Sequence, residues 1–324
     1  MRTWSSRPDV AQRTRGAGRD WQSNTGGFLL ERKTISQAES GGDFWVAGEA
    51  CDLVSVHRSE TLLVTFDNLA TINQRPDERP WPAWLASRAE ALNYSILGVQ
   101  SHQKDWYRNA ETPAMISELQ ANGYFDRFEN IVFTGTSMGG FAALCFAGLV
   151  PGARVLAFSP QSTLNRRIAP FERRYPYPFR KFDWESPDYL DAAKHVDAIS
   201  GGHVFYDPKV PEDHQHAKRL LRGNLKGIRV PHAGHTLIRI VVKAGALEHL
   251  LETYPSTGKI NRTFFELLRN RRDNPVWAKQ IIKSTYARGN SDRAHRVGAY
   301  LSREHGHRFA KRMLRRLAER QSQQ

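Results

Sequence analysis

The sequence predicts an α/β protein: a mainly parallel sheet flanked by helices, followed by a small C-terminal all-helical appendage. Three observations carry this. Short apolar, β-rich runs alternate with helical patterns from about residue 53 to 253, the rhythm of strands joined by crossover helices. After residue 260 only the helical period remains. The chain has 324 residues, 40% of them hydrophobic, enough to build a core without metal or disulfide staples.

The elements follow in order. Residues 1–20 mix Arg, Ser, Gly and Asp without periodicity and read as a flexible basic arm. Phe28-Leu29-Leu30 and Leu53-Val54-Ser55-Val56 are candidate opening strands. The run 61–66 is apolar and β-rich, as a strand buried on both faces must be. Further strands are expected at 94–99, 130–134, 153–158, 202–206 and 227–230. Helices are expected at 84–92, at 113–122 with Gly123 as its stop, at 139–149 ended by Pro151, at 212–221 and at 236–253. Residues 160–200 carry no regular pattern. Beyond 260, Asn274-Pro275 is a good N-cap and first-turn pair, Gly289 and Gly306 are stops, and a last helix covers about 307–320. The organisation is thus an arm over 1–20, an α/β body over 21–258 with an insertion at about 160–200, and a helical appendage over 259–324.

The formal net charge is +14, but it is unevenly placed. The arm carries +3, the body −1 and the appendage +12. Such asymmetry assigns the basicity to the ends of the chain rather than to the body. Cys51 and Cys145 stand far apart and outside any C-x-x-C pattern, which argues against a zinc ribbon, an iron–sulfur site or a disulfide scaffold. The longest apolar run, 141–150, is short of the roughly 20 residues that span a bilayer. Residues 1–20 lack the apolar centre of a secretory signal. A soluble cytoplasmic protein is the expectation.

The sharpest chemical signal is Gly135-Thr136-Ser137-Met138-Gly139-Gly140, sited after an expected strand and before an expected helix. A G-x-S-x-G in that context sets the serine on a tight strand-to-helix turn with its hydroxyl exposed. The backbone N–H of Met138, opening the helix, can point at a developing oxyanion. Through this motif and its flanks, residues 53–253 resemble the α/β-hydrolase superfamily. In that family an acid and then a histidine follow on loops after later strands. Here Asp207-Pro208-Lys209-Val210-Pro211 and His232-Ala233-Gly234-His235 occupy those places. The resemblance implies Ser137 as nucleophile, His235 as general base and Asp207 as the group orienting the imidazole. Asp213 competes with Asp207, its other role being to complement a helix dipole, and His232 competes with His235.

A second oxyanion donor is expected from the loop Phe66-Asp67-Asn68-Leu69, at the N–H of Asn68 or Leu69. That loop lacks the H-G-G-G run of many lipases. The insertion at 160–200, where the resembling family places a lid, interleaves Arg166, Arg167, Arg173, Arg174, Arg180 and Lys181 with aromatic residues that include Tyr175 and Trp184. Such a surface suits an anionic or carbohydrate-bearing substrate, with Arg173 and Arg174 as contacts and Trp106 and Tyr107 walling the same cleft. A solvated lid with aromatics packed on the body is the other reading.

The expected reaction is ester hydrolysis through an acyl-enzyme, with no metal or organic cofactor required. O-acyl transfer to a glycan or other hydroxyl uses the same groups, peptide cleavage is a third option, and a non-catalytic scaffold with a basic partner-binding segment is the alternative from another class. For the last helix, Phe309, Met313, Leu314 and Leu317 form an apolar stripe among Arg and Lys. It either meets an anionic surface or acidic protein or packs on the helices before it. No zinc finger, RRM or helix-turn-helix signature points to nucleic acid.

Overall fold

The computed structural model describes residues 30, 32–35, 37 and 42–322, without the side chains of 320 and 321. The arm over 1–20, and Phe28 and Leu29 of the first expected strand, lie outside the described residues.

Among the described residues eight strands form one sheet: β1 (Phe44–Ala47), β2 (Cys51–Val56), β3 (Thr61–Phe66), β4 (Ser95–Ser101), β5 (Asn130–Thr136), β6 (Arg154–Phe158), β7 (Gly201–Tyr206) and β8 (Leu225–Arg229). Their order is β1-β2-β4-β3-β5-β6-β7-β8. β2 runs antiparallel to β1 and β4, and all other pairs are parallel. The central strands read as continuous apolar runs because both faces are covered. Leu62, Val64 and Phe66 enter one apolar cluster while Leu63 enters the other. Phe133 and Val132 divide in the same way on β5, and Val155 and Leu156 on β6. β8, at the sheet edge, exposes Lys226 and Arg229, charges that discourage pairing with another chain.

The helices are α1 (Leu69–Asn73), α2 (Ala86–Ala91), α3 (Glu111–Ala121), α4 (Met138–Phe146), α5 (Pro176–Lys181), α6 (Pro211–Leu220), α7 (Ile238–Lys243), α8 (Ala246–Thr257), α9 (Arg262–Leu267), α10 (Pro275–Tyr286), α11 (Ser291–Glu304) and α12 (Phe309–Gln321). α4 is apolar on every side, and all nine of its residues are buried. The predicted fold class is the one observed: a mainly parallel sheet covered by helices, with helices alone after it.

Three details depart from the sequence reading. β1 was not anticipated. The single helix expected over 236–253 is divided into α7 and α8, because Gly245 adopts a left-handed φ of 70° between them. The irregular insertion holds a short helix, α5, begun by Pro176.

The C-terminal helices share the body's core. Phe264, Leu268, Trp277, Ile282, Leu301 and Leu314 join the cluster that holds Val230, Leu237 and Leu247. Of the two readings of the last helix, packing is present: Leu314 is buried, with Phe309, Met313 and Leu317 half-buried against the same cluster. Among the described residues no helix is long and apolar enough to cross a membrane.

Candidate active site

Ser137 sits between the central strand β5 and α4, at φ 55° and ψ −115°. A non-glycine residue is strained there, and its surroundings must impose the conformation. Part of that constraint is visible in the Ser137 N–H, which donates to the Phe158 carbonyl at 2.8 Å. The flanking glycines are required by close approach. A Cβ on Gly135 would lie 2.3 Å from the backbone of Gly139, and one on Gly139 would lie 2.4 Å from the Phe66 carbonyl oxygen. Side chains at either position would push the turn off the sheet.

His235 lies on the loop between β8 and α7. Its Nε2 is 3.0 Å from Ser137 Oγ. Its Nδ1 is 2.9 and 3.1 Å from the two carboxylate oxygens of Asp213, in the first turn of α6. A carboxylate only accepts, so Nδ1 carries the proton and Nε2 presents its lone pair to the serine.

The expected acid, Asp207, is not on the imidazole. Its Oδ2 accepts from the Gly234 N–H at 2.8 Å and its Oδ1 from the Lys209 N–H at 2.8 Å. Asp207 therefore holds the histidine loop by its backbone, while Asp213 faces the ring. The rival His232 points elsewhere, with its Nδ1 2.6 Å from Ser284 Oγ on α10.

Asp213 is buried and braced by the insertion. Arg174 Nη1 donates to Asp213 Oδ1 at 2.8 Å, while its Nη2 and Nε reach Glu172 at 2.5 and 3.1 Å. Glu172 in turn accepts from His216 Nε2 at 3.0 Å. The Ser162 N–H donates to His216 Nδ1, so His216 is neutral. Burial holds its pKa below the ordinary value despite the neighbouring carboxylate. For Glu172, burial alone would raise the pKa, but the bonds from His216 and Arg174 outweigh it and bring it down to about 2. Arg174 is thus committed to internal carboxylates, contrary to its expected role as a substrate contact. Arg173 is exposed, its Nε 3.4 Å from the Pro170 carbonyl oxygen.

Trp106 and Tyr107 are both fully buried and neither forms an exposed cleft wall as expected, but they differ in what they touch. Tyr107 is fully buried beneath the site, its hydroxyl donating to the carbonyls of Asp67 and Val99 at 3.1 Å each, so it walls no cleft. Trp106 touches the site through Gln161: its indole N–H donates to Gln161 Oε1 at 3.1 Å. Gln161 Nε2 then donates to Ser137 Oγ and to Tyr175 Oη, each at 3.2 Å. Tyr175 Oη lies 2.9 Å from His235 Nε2 and 3.5 Å from Ser137 Oγ. No motif marks Gln161, Glu172, Tyr175 or His216. The only signal in the sequence was their place in the insertion and the helix that face it.

The loop after β3 approaches the elbow through Phe66 and Asp67. Asn68 caps α1, its side-chain oxygen accepting from Ala70 and Thr71, and Leu69 begins that helix. Met138 begins α4, so its N–H has no partner within the helix. Burial pushes the Asp67 carboxyl up to about 6, against the opposing pull of Arg75, which bonds it.

No family model matches the chain, and no curated protein does. Among solved structures it is similar to the capsule O-acetyltransferase of Neisseria meningitidis serogroup A, at 12% identity and TM-score 0.44 over 63% of this chain and 94% of that one. It is similar also to the esterase PF2001 of Pyrococcus furiosus, at 15% identity and TM-score 0.40 over 69% and 97%. Est1E from Butyrivibrio proteoclasticus shows 13% identity and TM-score 0.39 over 65% and 100%. Identities and TM-scores this low carry nothing about the chemistry of this chain, which rests on its own geometry.

Proposed function

We propose that the protein is a serine hydrolase of the α/β-hydrolase type acting on a carboxylic ester, with Ser137 as nucleophile, His235 as base and Asp213 as the orienting acid. The observation that carries the reading is the unbroken line from Ser137 Oγ to His235 Nε2 (3.0 Å) and from His235 Nδ1 to Asp213 (2.9 Å), with the serine on a strained elbow. A serine that merely caps a helix needs neither the strained backbone nor an imidazole whose second nitrogen is fixed by a buried carboxylate.

In this mechanism Nε2 takes the Ser137 proton as Oγ attacks the ester carbonyl. The buried Asp213 carboxylate stabilises the imidazolium that forms. The Met138 N–H, with an N–H of Asn68 or Leu69, holds the oxyanion. Nε2–H then protonates the departing alcohol, and water activated by the same nitrogen releases the acid from the serine ester.

The test is labelling with a fluorophosphonate probe. Wild-type protein is expected to label on Ser137, and Ser137→Ala to lose both labelling and ester hydrolysis. Equal labelling of the two, or none of either, sinks the reading.

A further inference from the structure

Three side chains bond the His235 ring, Asp213 at Nδ1 and two hydroxyls at Nε2, and only Asp213 and Ser137 have a part in the reaction above. The third is the hydroxyl of Tyr175, from the insertion. Its direction is fixed by Gln161. The indole of Trp106 can only donate, so the oxygen of the Gln161 amide faces Trp106 and the amide nitrogen faces both hydroxyls. Tyr175 Oη accepts from the Gln161 amide nitrogen and keeps its own proton to donate, while Ser137 Oγ stands within reach of both the amide nitrogen (3.2 Å) and the amide oxygen (3.3 Å), so its proton can turn either to Gln161 or to His235. Both face one nitrogen, at 3.0 and 2.9 Å. That nitrogen has a single lone pair, because Nδ1 holds the ring proton against Asp213. In the resting protein the two hydroxyls therefore compete for the base.

The position of the second hydroxyl has a chemical meaning. A departing alcohol oxygen must come within hydrogen-bond reach of Nε2 to be protonated, and because it leaves the carbon that Ser137 Oγ has attacked it must also stand close to Oγ. Tyr175 Oη meets both conditions, 2.9 Å from Nε2 and 3.5 Å from Oγ. We propose that Tyr175 is the specificity-determining residue of the alcohol side of this site, its hydroxyl standing where the alcohol oxygen binds and its ring setting the size of alcohol admitted.

The surroundings support a guard whose side chain moves on a fixed backbone. On one side Arg174 is bonded to the buried Asp213 and Glu172; on the other Pro176 starts α5. The ring of Tyr175 meets Trp106 edge-on at 5.0 Å, and on this proposal substrate is admitted by rotation of that one side chain. The phenol stays protonated throughout, since burial pushes its pKa up to about 12. The proton passed to the alcohol is the one taken from Ser137, and Tyr175 neither gains nor loses one.

The inference rests on the serine-hydrolase reading, and two readouts on Tyr175→Phe and Tyr175→Ala separate the two. The 15N resonance of His235 Nε2 is expected to move in Tyr175→Phe, whether or not the protein turns over ester. Release of the base should also make fluorophosphonate labelling of Ser137 about two- to tenfold faster, the worth of one competing hydrogen bond. Across the acetate esters of methanol, butanol and benzyl alcohol, Tyr175→Phe should keep the wild-type order. Tyr175→Ala should shift preference toward the benzyl ester by about tenfold or more, since filling a vacated apolar space is worth that much. An unmoved resonance in Tyr175→Phe overturns the proposal. So does slower labelling in both variants with an unaltered order of alcohols, which would make the phenol an aid to the chemistry. Absence of Ser137 labelling in the wild type would instead remove the hydrolase reading, with the resonance still reporting on Tyr175.

Discussion

Asp207 and Asp213 lie six residues apart, are equally buried, and do different work. Asp207 follows β7 directly, and its two oxygens accept backbone N–H groups from its own turn and from the histidine loop. Asp213 lies in the first turn of α6, where its carboxylate meets His235 and Arg174. Asparagine at 213 keeps the shape but presents a donor to the imidazole, which favours the wrong tautomer. Asp213→Asn is therefore expected to lower kcat by about 10⁴-fold. Asp207→Asn keeps one accepting oxygen and should lower stability by about 1–3 kcal/mol while retaining most of the activity. Kinetics and urea melts of the two purified variants check both outcomes, and the reverse pattern would restore Asp207 to the acid role. The sequence reading assigned the acid by motif shape, which locates the loop and not the direction of a side chain. Ser137 and His235 were legible because glycines mark their turns. Asp213 was visible only as an ordinary first-turn acid, since the Arg174–Glu172–His216 chain that braces it is assembled from distant segments.

At the scale of elements, the parallel strands were readable because burial on both faces forces apolar runs, and seven consecutive residues of β4 are buried. β1 escaped because it has four residues at a sheet edge. The elbow was readable because no residue but glycine fits at 135 and 139. β7 carries a polar exception, His203, buried against Tyr254 with its Nδ1 3.2 Å from the phenol. Burial, with Lys226 nearby, lowers its pKa from 6.5 to about 4. Below pH 6.5 the unfolded chain binds a proton there that the native state refuses. Stability contributed by His203 is thus complete above pH 6.5 and lost as pH falls toward 4, for about 3 kcal/mol over the interval. His216, lowered in the same direction, adds to the slope. Urea melts at pH 7.5, 5.5 and 4.5 should show this decline, and His203→Gln should flatten it. An unchanged slope in that variant would place the acid sensitivity elsewhere.

At the scale of the whole molecule, the division of charge separates a near-neutral body from a C-terminal segment of +12, yet the division of the core does not follow it. Trp277 on α10 is buried, stands edge-on to His232 at 6.4 Å, and donates its indole N–H to the Pro231 carbonyl at 3.0 Å. Ser284, two turns later, bonds His232 itself. The basic helices therefore press on the loop that delivers His235 to Ser137, and much of their apolar surface is buried against the body, although Phe265, Val276 and Tyr300 stay exposed. This gives the segment a part in the site that its composition conceals. Trp277→Ala should cost about 3–5 kcal/mol from lost packing, a fall in melting temperature of roughly 4–7 °C for a chain of this size. Because the histidine loop loses its cover, the Ser137 labelling rate should fall as well, measured at a temperature where the variant remains folded. A variant with the lowered melting point but wild-type labelling would confine α10 to stability. Reduced labelling in the folded variant would make the C-terminal helices part of what positions the base.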